Sequence, residues 1–197
     1  MEYEIRDDLI SKSYQDFIEK AFTEDFPWYY QNQDLEEWEE EWKSSNFVHM
    51  IYLNPRSPYT MDIDSPTELI WQPPLQKTQR YKDMVYPILL QALDKPVKEL
   101  YRIRAVMNIR GQIGDKGYPP HVDLLYPHLT MLYYVNDADG PTRLYDGKDQ
   151  KSPGNVVAEV EPKKGRVLFM SGDTFHAGSG TTSYRRILLN FNFSLWN

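Results

Sequence analysis

The strongest constraint on the fold is a change of hydrophobic period near Tyr101. Before it, apolar residues recur at the three- and four-residue spacing of a helix face. Ile10, Tyr14, Phe17, Ile18 and Ala21 form one such stretch, and Tyr81, Met84, Ile88, Leu89, Ala92 and Leu93 another. Asp7-Asp8 stands where a cap for the first helix is expected. Phe26-Pro27 ends that helix, because the residue before proline disfavours the α conformation. Pro87 is expected near a start or kink of the later helix. Residues 35–42 read as an acidic helix with Leu35, Trp38 and Trp42 on one face, and 54–58 and 72–74 read as loops.

After Tyr101 the pattern changes to short strands, at 102–109, 130–135, 143–145, 156–160, 166–169 and 185–193. Asp139-Gly140-Pro141, Asp146-Gly147, Ser152-Pro153-Gly154, Lys164-Gly165 and Ser171-Gly172-Asp173 supply the turns between them. Many short strands at this spacing close into a sandwich, barrel or jelly roll. The expected class is mainly β with flanking helices, as one domain over 1–197. Residues 1–100 are expected as a helical N-terminal support region and 101–197 as the β core.

Composition narrows the chemistry. A chain of 197 residues buries a core without covalent staples. The absence of cysteine excludes a disulfide scaffold, a thiol nucleophile and a Cys-ligated metal site. Twenty-two basic against 29 acidic residues, a net charge of −7, argue against nucleic acid or an anionic membrane as partner. No apolar run reaches the ~18 residues of a membrane span, and Met1-Glu2-Tyr3-Glu4 lacks the basic start of a signal peptide. The expected location is the cytoplasm.

The candidate chemistry lies in four histidines. His121-Val122-Asp123 puts an imidazole and a carboxylate on the same side of an extended segment. His176, after Ser171-Gly172-Asp173-Thr174-Phe175, lies at an apparent strand edge. Two histidines and one carboxylate on one face of an octahedron leave positions open, the arrangement of non-haem Fe(II) oxygenases. A dicarboxylate co-substrate such as 2-oxoglutarate would also need a cation for its distal carboxylate, and guanidinium binds carboxylate in bidentate fashion. Arg185 and Arg186 begin the last strand. Arg186 shares parity with Leu188, Asn190 and Asn192, a mixed polar face, whereas Arg185 shares it with Ile187, Leu189, Phe191 and Phe193. Arg186 is therefore the expected anchor. His128 reads as a loop residue, His49 as a core or edge-strand histidine, and Tyr118 as either a turn residue or a flank of the substrate entrance.

Five segments, in order, carry a resemblance: His121-Val122-Asp123; Thr130-Met131-Leu132-Tyr133-Tyr134-Val135-Asn136; Gly165-Arg166-Val167-Leu168-Phe169; Phe175-His176; and Arg186-Ile187-Leu188-Leu189-Asn190-Phe191. The stretch from Tyr101 to Phe193 resembles Fe(II)/2-oxoglutarate-dependent dioxygenases, specifically the prolyl 4-hydroxylase-like branch with its small phage and marine bacterial members. The resemblance implies a double-stranded β-helix, a jelly roll with iron near its mouth, held by His121, Asp123 and His176. It implies 2-oxoglutarate and O2 as co-substrates, succinate and CO2 as co-products, and ascorbate as reductant. Tyr134 and Leu132 would line the 2-oxoglutarate pocket, and Asn108 would reach into it. Gly140-Pro141-Thr142-Arg143-Leu144 departs from the family's Gly-Gly pattern after Asn136, and the family often anchors with lysine. The implied substrate is a prolyl or other residue in a peptide or protein, or a small amino-acid-like molecule. Two other classes fit parts of the pattern: a cupin-type metal enzyme without 2-oxoglutarate, and a catalytically silent β-helix used for binding. Neither needs an arginine after His176.

Overall fold

In a computed structural model, described for residues 3–32, 45–55, 75–111, 117–147, 149 and 152–196, ten strands and two helices are laid out around two sheets. The strands are β1 (Tyr3–Arg6), β2 (Tyr29–Asn32), β3 (Ser45–Leu53), β4 (Val97–Ile109), β5 (Leu129–Tyr134), β6 (Thr142–Tyr145), β7 (Val156–Val160), β8 (Val167–Ser171), β9 (Phe175–Gly178) and β10 (Arg185–Leu195). The helices are α1 (Lys12–Glu24) and α2 (Leu75–Gln91). The larger sheet runs β1-β8-β5-β10-β4-β3-β2 and the smaller β7-β6-β9. Every named pairing is antiparallel. This is the mainly β, double-stranded β-helix architecture expected from the sequence.

Side-chain alternation gives the large sheet two different faces. Ile187, Leu189, Phe191 and Phe193 of β10 are buried against Ile18 and Phe22 of α1 and Val85, Ile88 and Leu89 of α2. The alternate residues face the small sheet, where Leu132, Tyr134, Leu168, Met170 and Leu188 pack with Leu144 and Val160. Polar side chains of the same inner face lie at either end of this apolar band.

The first hundred residues are not purely helical, which corrects that expectation. They supply β1, β2, β3 and the start of β4 to the large sheet. β1 and β2 are four-residue edge strands, and β1 finds its ladder partner more than 160 residues later, so a local window carries little of their signal. The cap of α1 also differs from expectation: the Ser11 hydroxyl accepts from Tyr14 N at 3.3 Å. Asp7 instead binds Arg166 at 2.8 and 3.0 Å, and Asp8 turns the chain at φ 56° while accepting from Gln15. β1 must pass into α1 through this turn, so the acids serve tertiary contacts rather than the helix end. Pro87 lies inside α2 rather than at its start. The acidic stretch 35–42 and the loop at 72–74 lie outside the described residues, as do 56–58 of the loop at 54–58. Among the described residues no helix is long and apolar enough to cross a membrane.

Candidate metal centre and anion pocket

His121 and His176 are brought together by backbone. His121 N donates to His176 O and His176 N donates to His121 O, both at 3.0 Å, which pins the loop after Pro120 to β9. Their rings lie 4.8 Å apart between centroids. Each Nδ1 is tied to the carbonyl two residues earlier, Pro119 O at 3.0 Å and Thr174 O at 3.1 Å. As donors to these carbonyls the rings carry hydrogen on Nδ1 and leave the Nε2 lone pair for a metal. Asp123, two residues on, brings Oδ2 to 3.7 Å from His176 Nε2. One ligand atom from each of the three residues lies within 4.8 Å of the others. Two imidazoles and a carboxylate with an open side match the donor set of a non-haem iron site, so the residues present fit Fe(II).

Electrostatics favour metal-ready protonation states. Burial, helped by neighbouring His176, lowers His121 to about 4, so its ring is neutral near pH 7. For Asp123 burial acts to raise the carboxyl, but Arg102, His176, His121 and Arg104 together hold the group well below the usual carboxylate range. Arg102 Nη2 donates to Asp123 Oδ1 at 2.7 Å, with the two side chains 3% and 0% exposed.

The second polar cluster lies further along the same face. On β10 Arg186 pairs with Asn108 of β4, four positions from Asn190, about 13 Å at the strand rise. Arg186 is 1% exposed. Its Nη1 donates to Asn108 Oδ1 at 3.2 Å and its Nη2 to Thr142 Oγ1 at 2.8 Å. Tyr134 donates to the same Thr142 oxygen at 2.7 Å, and the Arg186 guanidinium lies 5.7 Å from the Tyr134 ring centre. Asn108 donates to the Tyr118 hydroxyl, which in turn donates to Ser45 O at 2.7 Å.

This pocket fits a carboxylate tail. Among the described residues Arg186 Nε is buried without a hydrogen-bond partner. Thr142 already accepts twice, so its own hydroxyl proton is available to donate. Among the described residues no carboxylate forms an ion pair with Arg186, and an uncompensated buried charge is costly until an anion arrives. Burial accordingly pulls the guanidinium below its ordinary value.

Each residue singled out from the sequence has a definite place. Arg185 points the other way from Arg186, donating to Thr23 O of α1 at 3.1 Å. Leu132 is buried in the apolar band, opposite Asn190. Asn108 and Tyr118 stand beside Arg186, with Tyr118 buried in a bend before the His121 loop. His128 is buried outside the triad, its Nδ1 bonded to Tyr126 O at 2.8 Å and its ring against Gly172, where a Cβ would lie 2.3 Å from it. His49 is a β3 core residue, bonded to Pro27 O at 2.7 Å among the rings of Phe26, Tyr29 and Tyr81.

Sequence reasoning missed Arg102, Thr130 and Thr142. The alternation Arg102, Arg104, Val106, Asn108 was the available signal for the first, since three polar residues of one parity on a central strand need a polar partner surface. Thr130 and Thr142 left no comparable trace.

The comparisons with known proteins agree with this geometry. Residues 106–194 match the family model described as 2OG-Fe(II) oxygenase superfamily. No curated protein sequence matches significantly. Among solved structures, the chain is similar to a Trichoplax adhaerens prolyl hydroxylase in complex with a hypoxia inducible factor peptide fragment. That pair has TM-score 0.57 and 11% identity over 97% of this chain and 82% of that one. It is similar to a Pseudomonas putida prolyl-4-hydroxylase, with TM-score 0.54 and 11% identity over 97% and 91%. It is also similar to a Burkholderia pseudomallei oxidoreductase of the 2OG-Fe(II) oxygenase family, with TM-score 0.58 and 13% identity over 99% and 86%. At such identities these likenesses speak for the fold, and the family match speaks for the chemistry. Residues 106–194 thus carry the match to the 2OG-Fe(II) oxygenase superfamily, and the His121–Asp123–His176 cluster within them supplies the donor set that Fe(II)- and 2-oxoglutarate-dependent dioxygenase chemistry requires.

Proposed function

We propose that the enzyme hydroxylates a prolyl or other residue in a peptide or protein, with a free amino-acid-like molecule as the second reading. The observation that carries it is the placement of the His121–Asp123–His176 triad and Arg186 toward one interior, at opposite ends of the apolar band of the large sheet. On this reading His121 Nε2, Asp123 and His176 Nε2 hold the iron. Arg186, Thr142 and Tyr134 hold the distal carboxylate of 2-oxoglutarate, while Asn108 and Tyr118 keep Arg186 in place. Leu132 and Leu188 close the middle of the pocket to water.

When bound, iron and 2-oxoglutarate supply the oxidising power: one atom of O2 leaves in succinate, CO2 is released, and the other oxygen atom enters a substrate C–H bond. The chain's own part is to bind, orient and exclude water. His121 is neutral at working pH and needs no deprotonation to act as ligand. The Nδ1 bonds to Pro119 O and Thr174 O keep both imidazoles turned inward.

The prolyl preference is supported by the fold likeness to the Trichoplax and Pseudomonas enzymes. We take 1–197 as one domain, a view supported by the large sheet drawing strands from both parts of the chain. A cytoplasmic setting suits a centre that requires reduced iron, with ascorbate as auxiliary reductant. The test is succinate formation by anaerobically purified protein supplied with Fe(II), 2-oxoglutarate, ascorbate and air. Slow turnover without substrate, absent in His176→Ala and Arg186→Ala, is expected, followed by a screen of proline-containing peptides against free proline. Iron binding without succinate or a 2-oxoglutarate-dependent absorption band would move the cupin-type reading to the front.

A further inference from the structure

The Asp123 carboxylate is occupied to an unusual degree by the protein itself. Arg102 Nη2 donates to Oδ1 at 2.7 Å. Asn190 Nδ2 donates to Oδ1 at 2.9 Å and to Oδ2 at 3.0 Å. Asn192 Nδ2 and Thr130 Oγ1 donate to Oδ2 at 3.0 and 3.2 Å. A carboxylate has about four lone-pair positions in all, so both oxygens are engaged before any metal arrives. Three of the donors are neutral and would suffice to fix the orientation. The fourth is a full positive charge that is itself latched, because Arg102 Nε donates to Asn192 Oδ1 at 2.9 Å. Arg102 and Asp123 are almost completely buried, so little water screens the pair.

We propose that Arg102 is a positioning residue that competes with the metal for Asp123, keeping the bare centre a weak metal site whose tight occupancy depends on the dianionic co-substrate. A divalent cation that shares Asp123 with a fixed guanidinium meets charge repulsion at short range in a poorly screened interior. The co-substrate carries two negative charges into the same cavity and offsets that excess. Metal and 2-oxoglutarate therefore strengthen each other's binding, and by linkage the factor is the same in both directions. The inference rests on the reading of His121, Asp123 and His176 as metal ligands and deepens it.

The test is the affinity for manganese(II), with and without 2-oxoglutarate under anaerobic conditions, for wild type, His176→Ala, Arg102→Gln and Arg102→Lys. Calorimetry gives the affinity, and thermal melting gives an independent readout. Arg102→Gln retains a donor but removes the charge. Without 2-oxoglutarate it is expected to bind manganese about tenfold more tightly than wild type, as follows from removing one like charge near a buried ion. Its 2-oxoglutarate enhancement should shrink by a similar factor, and manganese should raise its melting temperature more than that of wild type. Arg102→Lys, which keeps the charge, should stay near wild type. Should Arg102→Gln bind manganese equally or more weakly, with unchanged enhancement, while His176→Ala has lost binding, the competition proposal is overturned and the metal centre stands. Equal binding by His176→Ala and wild type overturns the metal-centre reading, and the proposal with it. If Arg102→Gln does not fold, Asn192→Ala, which unlatches Arg102 Nε and also removes a neutral donor from Asp123 Oδ2, must tighten manganese binding more than Thr130→Val, which removes a neutral donor from the same oxygen and leaves the latch. An equal or smaller effect overturns the proposal.

Discussion

The two polar ends of the inner face are built on the same pair of strands but differ in charge balance. At the metal end β4 supplies Arg102 and β10 supplies Asn190 and Asn192, all converging on a carboxylate, so the buried cation is matched by a buried anion. At the other end β4 supplies Asn108 and β10 supplies Arg186, and among the described residues the guanidinium donates only to neutral oxygens. A buried charge with dipoles but no counter-charge is a standing preference for an anionic ligand. The balanced end holds its shape without a ligand. The unbalanced end has a charge that an anion would compensate.

The largest expected effect breaks the metal end outright. Asp123→Ala should lower 2-oxoglutarate turnover by about a thousandfold, the several kcal/mol that a metal centre contributes to a reaction, measured as succinate released. The same comparison should then show opposite signs in metal-free stability. Arg102→Met strands Asp123 as an unpaired buried anion and should cost about 3–5 kcal/mol in urea denaturation. Arg186→Met removes a charge that has no counter-ion among the described residues and should leave the metal-free protein as stable or more so. Equal losses for the two variants would erase the distinction drawn between the ends.

Smaller changes sharpen it. Arg186→Lys keeps the charge but loses the planar fork, so the KM for 2-oxoglutarate should rise by about tenfold or more while manganese affinity without co-substrate stays the same. Thr142→Val removes one neutral donor and should weaken 2-oxoglutarate binding by about fivefold, near 1 kcal/mol. The smallest effect lies outside both ends. Burial pushes the His49 imidazole below its ordinary 6.5, against the opposing pull of Pro27 O. The unfolded chain then takes up a proton more readily than the folded one, so this contribution to stability is complete above pH 6.5 and declines as pH falls below it. His49→Gln should flatten that part of the stability profile, read by denaturation between pH 7.5 and 5.5.

Much of this was legible in the chain itself. His121, Asp123 and His176 were found because metal chemistry limits ligand types and the i, i+2 spacing of an extended segment is visible locally. Arg186 was separated from Arg185 by parity alone, since one strand residue in two faces a given side and the neighbours of Arg185 are uniformly apolar. The strands of the first hundred residues were not legible. Tyr3–Arg6 becomes β1 only because β8, more than 160 residues later, offers it a ladder. Asp7-Asp8 looked like a cap because capping is a local property, whereas their role is set by Arg166 and Gln15.

What the sequence determined by itself is the set of groups and the faces on which they stand: a candidate metal-binding triad, an inward arginine and a β core with helices behind it. The tertiary structure alone decided how those groups are compensated. Arg102 reaches Asp123 across 21 residues and Asn190 reaches it across 67, while Arg186 finds Thr142 across 44. The reason is physical. Periodicity and ligand chemistry act through neighbours in the chain, but the free energy of a buried charge depends on every dipole and counter-ion around it, and those are assembled only when β4, β5, β6 and β10 come together.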